Sequence, residues 1–148
     1  MRDRSFQSVA PSRRAVVVGC GRIGARVAAA LSEEGFVVQI LDISSVAFDL
    51  LPPGMIENRH IIPILGDGTL ETDLRRASAQ EADVFVALTG TDTRNAMSAQ
   101  IAKHLLQVPT VICRMNDPTM AEMYNKLEIK AISATMLVTD MVLDATKS

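Results

Sequence analysis

Three glycines and one aspartate form the pattern with the clearest chemical meaning in this chain. An apolar run, Ala15–Val18, leads into Gly19-Cys20-Gly21-Arg22-Ile23-Gly24, and Asp42 closes the next strand-like run about twenty residues on. In a strand–turn–helix unit, one glycine permits the tight turn, one lets the backbone approach a pyrophosphate, and one lets the helix pack on the strand. The unpaired N–H groups and the dipole of the helix N-terminus favour phosphate. The pattern therefore predicts a dinucleotide-binding unit.

Asp42 stands where a carboxylate accepts the ribose hydroxyls of an adenosine. Residues 43–45 include no arginine or lysine that would pair with a 2′-phosphate, which favours NAD over NADP. The alternative role of Asp42 is to cap a helix over 44–51. Arg22, inside the glycine turn, either reaches phosphate with its forked donors or stays on the helix surface.

Polar residues also follow the later strand-like runs. In the tetrad Gly66-Asp67-Gly68-Thr69, Asp67 is placed to accept a hydrogen bond from an adenine amino group. Capping of the next helix by Thr69 explains the same tetrad without a ligand. The segment Thr89-Gly90-Thr91-Asp92 is predicted to lie where a ribose or phosphate crosses the sheet edge. Arg114 ends a strand, in position to meet phosphate or a partner carboxylate.

Catalytic and metal-binding patterns are missing from the sequence. Cys20 at a helix start is either an activated thiol or a small filler residue. Cys20 and Cys113 are the only cysteines, which predicts a reducing compartment, the cytoplasm, rather than a disulfide framework. His60 and His104 have no ligand spacing around them, and there is no nucleophile elbow or Tyr-x-x-x-Lys pair. We therefore expect no metal site and no catalytic residue.

Strands and helices alternate along the chain and would position these residues. The spacing predicts strands over 15–19, 36–41, 61–65, 83–88, 109–113 and 130–132, and helices over 22–34, 44–51, 69–77, 91–107, 117–126 and 134–147. This predicts an α/β fold, a Rossmann-like doubly wound parallel sheet of six strands in the order 3-2-1-4-5-6. Pro63 fits that order because the third strand is then an edge, where a missing N–H donor is tolerated. The cluster Pro52-Pro53-Gly54 predicts a loop.

The last predicted helix carries more apolar surface than one sheet can cover. Its apolar side chains surround most of the helix, and only Thr135, Thr139, Asp140 and Asp144 form a polar stripe. The excess predicts a second partner, either another subunit or another piece of the same protein. Burial as an ordinary core helix is the alternative.

Length and composition set the remaining limits. The 148 residues suit one domain, predicted over 15–148 behind a flexible polar tail over 1–14. A net charge of −2 and only 3% aromatic residues give no support for nucleic-acid binding. No apolar run approaches the roughly 20 residues that span a bilayer, so no direct membrane insertion is expected.

In this order the motifs resemble the RCK N-terminal domain, the nucleotide-binding module of Trk/Ktr-type potassium-uptake regulators and of potassium channels. The resemblance covers about 15–145 and rests on these motifs: Val17–Gly24, Asp42, Gly66–Thr69, Ala87–Thr89 with Asp92 and Asn95, Arg114–Pro118, and Ile132-Ser133. One departure is Glu128, where similar domains commonly carry glycine, and this predicts an altered turn.

The resemblance implies a cytoplasmic regulator rather than an enzyme. It implies binding of NAD(H), or alternatively ATP, ADP or AMP, a homodimer or larger ring formed through the last helix, and a membrane potassium channel or transporter as partner at the inner face of the membrane. The glycine turn, Asp42, Asp67 and Arg114 match nucleotide contacts of the family, and Arg22 resembles the subgroup that recognises ATP phosphates. The predicted site residues are Gly19, Cys20, Gly21, Arg22, Ile23, Gly24, Asp42, Ile43, Gly66, Asp67, Gly68, Thr69, Leu88, Thr89 and Arg114.

Two other functions fit the same fold. A small NAD-dependent oxidoreductase would need a second region to hold substrate and a residue to manage the proton, and little sequence remains for either. A ligand-free assembly scaffold would need a blocked cleft, against which the glycines argue.

Overall fold

The first strand begins slightly earlier than predicted. A computed structural model describes residues 12–147, so most of the predicted tail lies outside the described residues. At the end of that tail, Arg14 already belongs to strand β1 (Arg14–Val18). Its N–H donates to the Asp83 carboxylate at 2.8 Å, and the carbonyl of Arg13 accepts from Val37 N–H at 2.9 Å. The first strand therefore includes one residue of the predicted tail.

Six parallel strands form one sheet. The strands after β1 are β2 (Val37–Asp42), β3 (Ile61–Leu65), β4 (Val84–Ala87), β5 (Thr110–Arg114) and β6 (Lys130–Ile132). Their order is β3-β2-β1-β4-β5-β6, and every pair is parallel. The predicted doubly wound fold is confirmed, and Pro63 lies opposite Ile40 on the edge strand β3.

Helices cover both faces of the sheet. The covering helices are α1 (Arg22–Glu33), α2 (Pro53–Glu57), α3 (Glu71–Arg76), α4 (Asp92–Gln100) and α5 (Pro118–Asn125). A further helix, α6 (Ala134–Ala145), follows β6. On β1, Ala15 and Val17 pack into one buried cluster, while Val16 and Val18 pack into the other. Both faces of the central strand are therefore buried, as parallel sheets with crossover helices require.

Three local predictions need correction. The segment predicted as helix 44–51 is a short 3₁₀ helix over Ser45–Leu50. Within the predicted loop, Pro53 begins α2, because proline needs no hydrogen-bonded N–H at a first helical position. The predicted helix 91–107 changes to a π-helical turn over Ile101–Leu105.

Glu128 keeps the conformation that a glycine would adopt. Its φ is +64°, in the left-handed region, and its N–H donates to the Asn125 carbonyl at 3.3 Å. The turn therefore has the backbone conformation that favours glycine, and whether it differs from the turn of similar domains stays a prediction. The side chain occupies a region that costs a non-glycine residue free energy.

Helix α6 stands away from the sheet. None of its residues is buried, and its exposed apolar side chains are Met136, Leu137, Val138, Met141, Val142 and Leu143. The alternative of a core-filling helix is wrong. The predicted excess of apolar surface is present, since the described residues of this chain leave it exposed.

Candidate nucleotide-binding site

A cleft of about 650 Å³ opens at the carboxyl edge of the sheet. It lies where the chain order reverses between β1 and β4, the place at which doubly wound sheets bind ligands. Its size is in the range of small-molecule sites. The lining residues come from the carboxyl ends of five strands and the segments that follow them: Val18, Gly19, Gly21, Arg22, Ile23, Leu41, Asp42, Ile43, Gly66, Gly68, Leu88, Thr89, Gly90, Thr91, Arg94 and Arg114.

Each glycine of the first turn has a separate structural reason. Gly19 has φ +101°, and a Cβ there would lie 2.9 Å from the backbone nitrogen of Thr89. A Cβ on Gly24 would overlap the carbonyl oxygen of Gly19, so only glycine lets α1 start this close to the turn. Gly21 has no atom within 4 Å of its Cβ position and faces the cleft. The geometry therefore fits the three predicted roles: Gly19 permits the tight turn, Gly24 permits close packing of the helix, and Gly21 leaves the backbone open to a ligand.

The start of α1 faces the same cleft without a side-chain cap. Gly21 is the N-cap residue and makes no side-chain hydrogen bond to the first turn. The first N–H groups of a helix have no intrahelical partner, and the helix dipole adds positive potential there. This end of α1 therefore has the backbone donors and the positive potential that suit an anion.

Asp42 is held in place by backbone donors. Cys20 N–H donates to one carboxylate oxygen at 2.8 Å, and Ser44 N–H donates to the other at 2.9 Å. Each oxygen can accept a further hydrogen bond, so the half-buried carboxylate can still receive ribose hydroxyls. The N-cap alternative is wrong because Ser44, not Asp42, is the cap residue of the following 3₁₀ helix.

Cys20 has a structural position rather than a chemical one. Its thiol is buried, does not line the cleft, and donates to the Ala47 carbonyl at 3.4 Å. Burial, and secondarily the negative charge of Asp42, raises the pKa of Cys20 to about 11. The activated-thiol interpretation is therefore wrong, and what Cys20 contributes to the site is its backbone N–H.

The loop after β3 agrees with the prediction only in part. Gly66 and Gly68 line the cleft, but Asp67 and Thr69 do not. Thr69 caps no helix: α3 begins at Glu71, and the Thr69 hydroxyl and N–H both donate to Asp67, at 2.7 and 2.9 Å. These bonds from Thr69, with the charge of Arg94, hold the pKa of Asp67 below its ordinary value. The predicted site residue Gly24 does not line the cleft either, because it packs against the backbone of Gly19.

A buried amide joins the loops on the other side of the cleft. The Asn95 carbonyl oxygen accepts from the N–H and hydroxyl of Thr89, at 2.8 and 2.7 Å. Its NH₂ group donates to the carbonyls of Thr89 and Arg114, both at 3.0 Å. Asn95 therefore fixes the ends of β4 and β5 relative to each other, and with them the predicted site residues Thr89 and Arg114.

Arg94 is the functional candidate that the sequence did not reveal. It lies in the first turn of α4, lines the cleft, and donates to Asp67 at 2.8 Å. The two residues are 27 positions apart, with no motif linking them. Arg22, Arg94 and Arg114 face the cleft with Asp42 as the one lining carboxylate, so the cleft favours an anion although the chain's net charge is −2.

Two other kinds of site receive no support. Within residues 12–147, no group of His, Cys, Asp and Glu side chains is arranged to hold a metal ion. Among the helices of this same range, none has the length and apolar character needed to cross a bilayer.

The fold and the cleft define a doubly wound domain of the class that binds nucleotides at its switch point. The chain belongs to the TrkA-N domain family, whose model matches residues 15–135. The Trk system potassium uptake protein TrkA of Streptomyces coelicolor is 31% identical over 128 residues, 86% of this chain and 56% of that protein. A TrkA homologue of Pyrococcus abyssi is 32% identical over 113 residues, 76% of this chain and 48% of that protein. The chain spans about half the length of these curated relatives.

Solved structures with the same fold include ligand complexes. The TrkA-N domain of the inner membrane protein ybaL from Escherichia coli matches with a TM-score of 0.77 at 14% identity, covering 93% of this chain and 98% of that chain. The AMP-bound Kef CTD of Shewanella denitrificans matches at 0.71 with 22% identity, over 91% and 80% of the two chains. The GsuK channel bound to NAD matches at 0.65 with 13% identity, over 88% and 24%. At these identities the likeness establishes the fold alone.

Proposed function

We propose that this chain is a nucleotide-binding regulatory domain of a potassium-uptake system, with NAD(H) as ligand and ATP, ADP or AMP as alternatives. The observation that carries the proposal is the cleft itself. The uncapped start of α1, the open backbone at Gly21 and the Asp42 carboxylate lie together along one sheet edge. A TrkA-N domain with such a cleft has places for both the phosphates and the ribose of a nucleotide.

The lining residues fit both candidate ligands. Asp42 with no basic neighbour at 43–45 favours the free ribose hydroxyls of NAD(H) over the 2′-phosphate of NADP(H). Arg22 and Arg114 add two guanidinium groups to the lining, which favour the additional phosphates of ATP or ADP. The NAD and AMP held by the two similar solved proteins support an adenine nucleotide.

The proposed role is regulation rather than catalysis. Cys20, the side chain considered for acid–base chemistry, has a pKa raised to about 11 and stays protonated near neutral pH. The names of the curated relatives support a role in potassium uptake. We propose a membrane potassium channel or transporter as the partner, with this domain on its cytoplasmic side. The exposed apolar surface of α6 supports a homodimer or ring formed through that helix.

A series of hydrogen bonds connects the cleft to α6. The Arg114 side chain donates to the Asn116 side-chain oxygen at 3.2 Å, and the Asn116 carbonyl accepts from the Ser133 hydroxyl at 3.0 Å. The same hydroxyl accepts from Met136 N–H at 3.1 Å and so caps α6. We propose that a nucleotide that binds to Arg114 changes how two α6 helices pack against each other. The change would pass along the hydrogen bonds of Asn116 and Ser133. This requires that the ligand bind the two packings with different affinity.

The first experiment measures thermal stability of the purified chain with NAD, NADH, ATP, ADP and AMP. Selective stabilisation would support the nucleotide site and identify its ligand. No stabilisation by any of them would contradict it and favour the assembly scaffold.

The second experiment measures α6–α6 distances in the dimer with and without that ligand. Asp144→Cys places a spin label on the exposed end of α6, and the native thiols Cys20 and Cys113 are buried. A ligand-dependent distance is expected, and one unchanged by every nucleotide would contradict the switch.

Ser133→Asp separates capping from coupling. Aspartate still caps α6 but cannot donate to the Asn116 carbonyl, so nucleotide affinity should persist while the distance change is lost. Thr139→Ala, which removes a hydroxyl bonded only within α6, is the matched control and should retain the change.

A further inference from the structure

The base of a nucleotide in the proposed site would lie beside the loop after β3. A doubly wound sheet has two mononucleotide-binding halves, and the acid after its second strand takes the ribose. With the ribose on Asp42, the base extends toward the next strand of the same half, which is β3. Gly66 and Gly68 of the following loop line the cleft there, and Arg94 joins them from the first turn of α4.

The loop after β3 is held in one position by the protein itself. The Asp67 N–H donates to the Asp73 carboxylate of α3 at 2.8 Å. A Cβ on Gly68 would overlap the Val18 side chain, so a larger residue would push the loop away from β1. The backbone position of Asp67 is therefore fixed without a ligand.

The Asp67 carboxylate keeps one oxygen for a ligand. Its Oδ1 atom accepts from the Thr69 N–H, the Thr69 hydroxyl and Arg94 Nη2, at 2.9, 2.7 and 2.8 Å. Its Oδ2 atom accepts no hydrogen bond from residues 12–147, and 33% of the side chain is exposed. The bonds from Thr69, with the charge of Arg94, hold the pKa of Asp67 below its ordinary value. Oδ2 is therefore an acceptor that carries no proton near neutral pH.

Arg94 fixes this carboxylate from the other half of the sheet. Its Nη2 atom touches Oδ1 alone, so with Thr69 it leaves Oδ2 as the open oxygen. Asp67 stands just behind the lining, between Gly66 and Gly68 and against Arg94, which all line the cleft. Asp67 uses one of the five donors of the guanidinium. The open oxygen of Asp67 and further donors of Arg94 are therefore neighbours.

An acceptor beside a donor matches one edge of adenine. Adenine presents its 6-amino donor next to the acceptor N7, and the amide group of asparagine or glutamine binds this edge with one oxygen and one NH₂ group. The ion pair of Asp67 and Arg94 offers the same two functions. Because the acceptor is a carboxylate, its hydrogen bond from the amino group would be charge-assisted and strong.

Resting on the proposed function, we propose that Arg94 is a positioning residue for adenine recognition. It holds one oxygen of Asp67, so that the other oxygen accepts a hydrogen bond from the 6-amino group, and its own donors meet N7. The pair makes the cleft select nucleotides of 6-aminopurines, the class to which NAD(H), ATP, ADP and AMP all belong.

The test compares AMP with purine riboside 5′-monophosphate, which lacks only the 6-amino group, by calorimetry. The wild type should bind AMP about tenfold more tightly, the equivalent of one hydrogen bond to a charged group. Arg94→Met keeps the side-chain stem and both Thr69 bonds to Asp67, but it should lose most of that preference. Arg94→Lys should retain it, because a single donor suffices for a monodentate contact.

Two more variants separate base recognition from general binding. Asp67→Ala removes the acceptor and should bind both ligands equally. Arg22→Met, at the start of α1, is the matched control and should weaken both ligands without changing their affinity ratio. The ratio isolates the amino group, because phosphate and ribose are common to both ligands.

Equal binding of the two ligands by the wild type would overturn the inference and leave the proposed function intact. A full preference for AMP in Arg94→Met would do the same, since Asp67 would then need no help from Arg94. If AMP, purine riboside 5′-monophosphate and NAD all fail to bind the wild type, the proposed function fails and this inference fails with it.

Discussion

Gly21→Asp separates the binding role of the glycine turn from its structural role. Gly21 has φ −83° and ψ −164°, a conformation that any residue adopts, and its Cβ position has no atom within 4 Å. Aspartate is a preferred N-cap residue and differs from glycine there by only a few tenths of a kcal/mol. The unliganded variant should therefore unfold within about 1 °C of the wild type.

Binding should respond very differently. A new carboxylate about 4 Å from a phosphate charge costs about 4 kcal/mol at an effective dielectric constant near 20, which is about a thousandfold in affinity. A nucleotide at about 100 times its wild-type dissociation constant stabilises the wild type by about 2.7 kcal/mol, or roughly 5–10 °C for a domain of this size. At the same concentration the variant would be nearly empty and should show no shift.

The assay is thermal unfolding with and without the nucleotide that stabilises the wild type. Gly54→Asp is the matched control, because it adds the same side chain at another open glycine, outside the cleft, and should keep the full ligand shift. A full shift in Gly21→Asp would refute the placement of phosphate at α1. A loss of several degrees in its unliganded stability would refute the claim that Gly21 is structurally free.

Three further predictions concern stability. Gly24→Ala places a Cβ against backbone and should lower the free energy of unfolding, measured in urea, by about 2–4 kcal/mol. Gly90→Ala, with open space around its Cβ, should stay within about 0.5 kcal/mol of the wild type. Equal losses in the two variants would contradict the packing argument. Asn95→Ala leaves buried backbone groups of Thr89 and Arg114 without a hydrogen-bond partner and should lower the free energy of unfolding by about 2–4 kcal/mol. Amide exchange at Thr89 should become faster, and unchanged exchange there would contradict the described bonds. Burial raises the pKa values of Cys20 and Cys113 from 9.0 to about 11, so their contribution to stability is present below pH 9 and is lost as the pH rises through 11. A double cysteine-to-alanine variant should flatten that alkaline decline, measured by urea unfolding from pH 8 to 11, and an equally steep decline would show that other groups cause it.

Features that depend on residues close together in the sequence are predictable from it. The apolar runs gave strand positions accurate to one or two residues, because a buried parallel strand needs continuous apolar side chains. Pro63 indicates an edge strand because proline has no N–H to donate, and it lies on the edge strand β3. Most lining residues from the glycine turn to Arg114 are predictable because they end or follow strands, and the carboxyl ends of parallel strands meet at one edge.

Side-chain direction was less predictable. Cys20 lies in the glycine turn, but its thiol points into the core and only its N–H serves the site. Asp67 lies in the tetrad after β3, but one oxygen of its carboxylate is held by three hydrogen bonds from Thr69 and Arg94. A motif places the backbone of these residues, and the packing around them decides which atoms reach the cleft.

The sequence by itself determined the fold, the glycine turn and the position of Asp42, because these follow from local backbone preferences and the periodicity of apolar residues. Only the tertiary structure decided that Arg94 faces the cleft, that Asn95 joins two strand ends and that Ser133 connects Asn116 to α6. Each of these contacts joins residues 17 to 27 positions apart in the chain. Crossover connections bring such residues together, and the spacing of residues along the chain does not encode which side chains then meet.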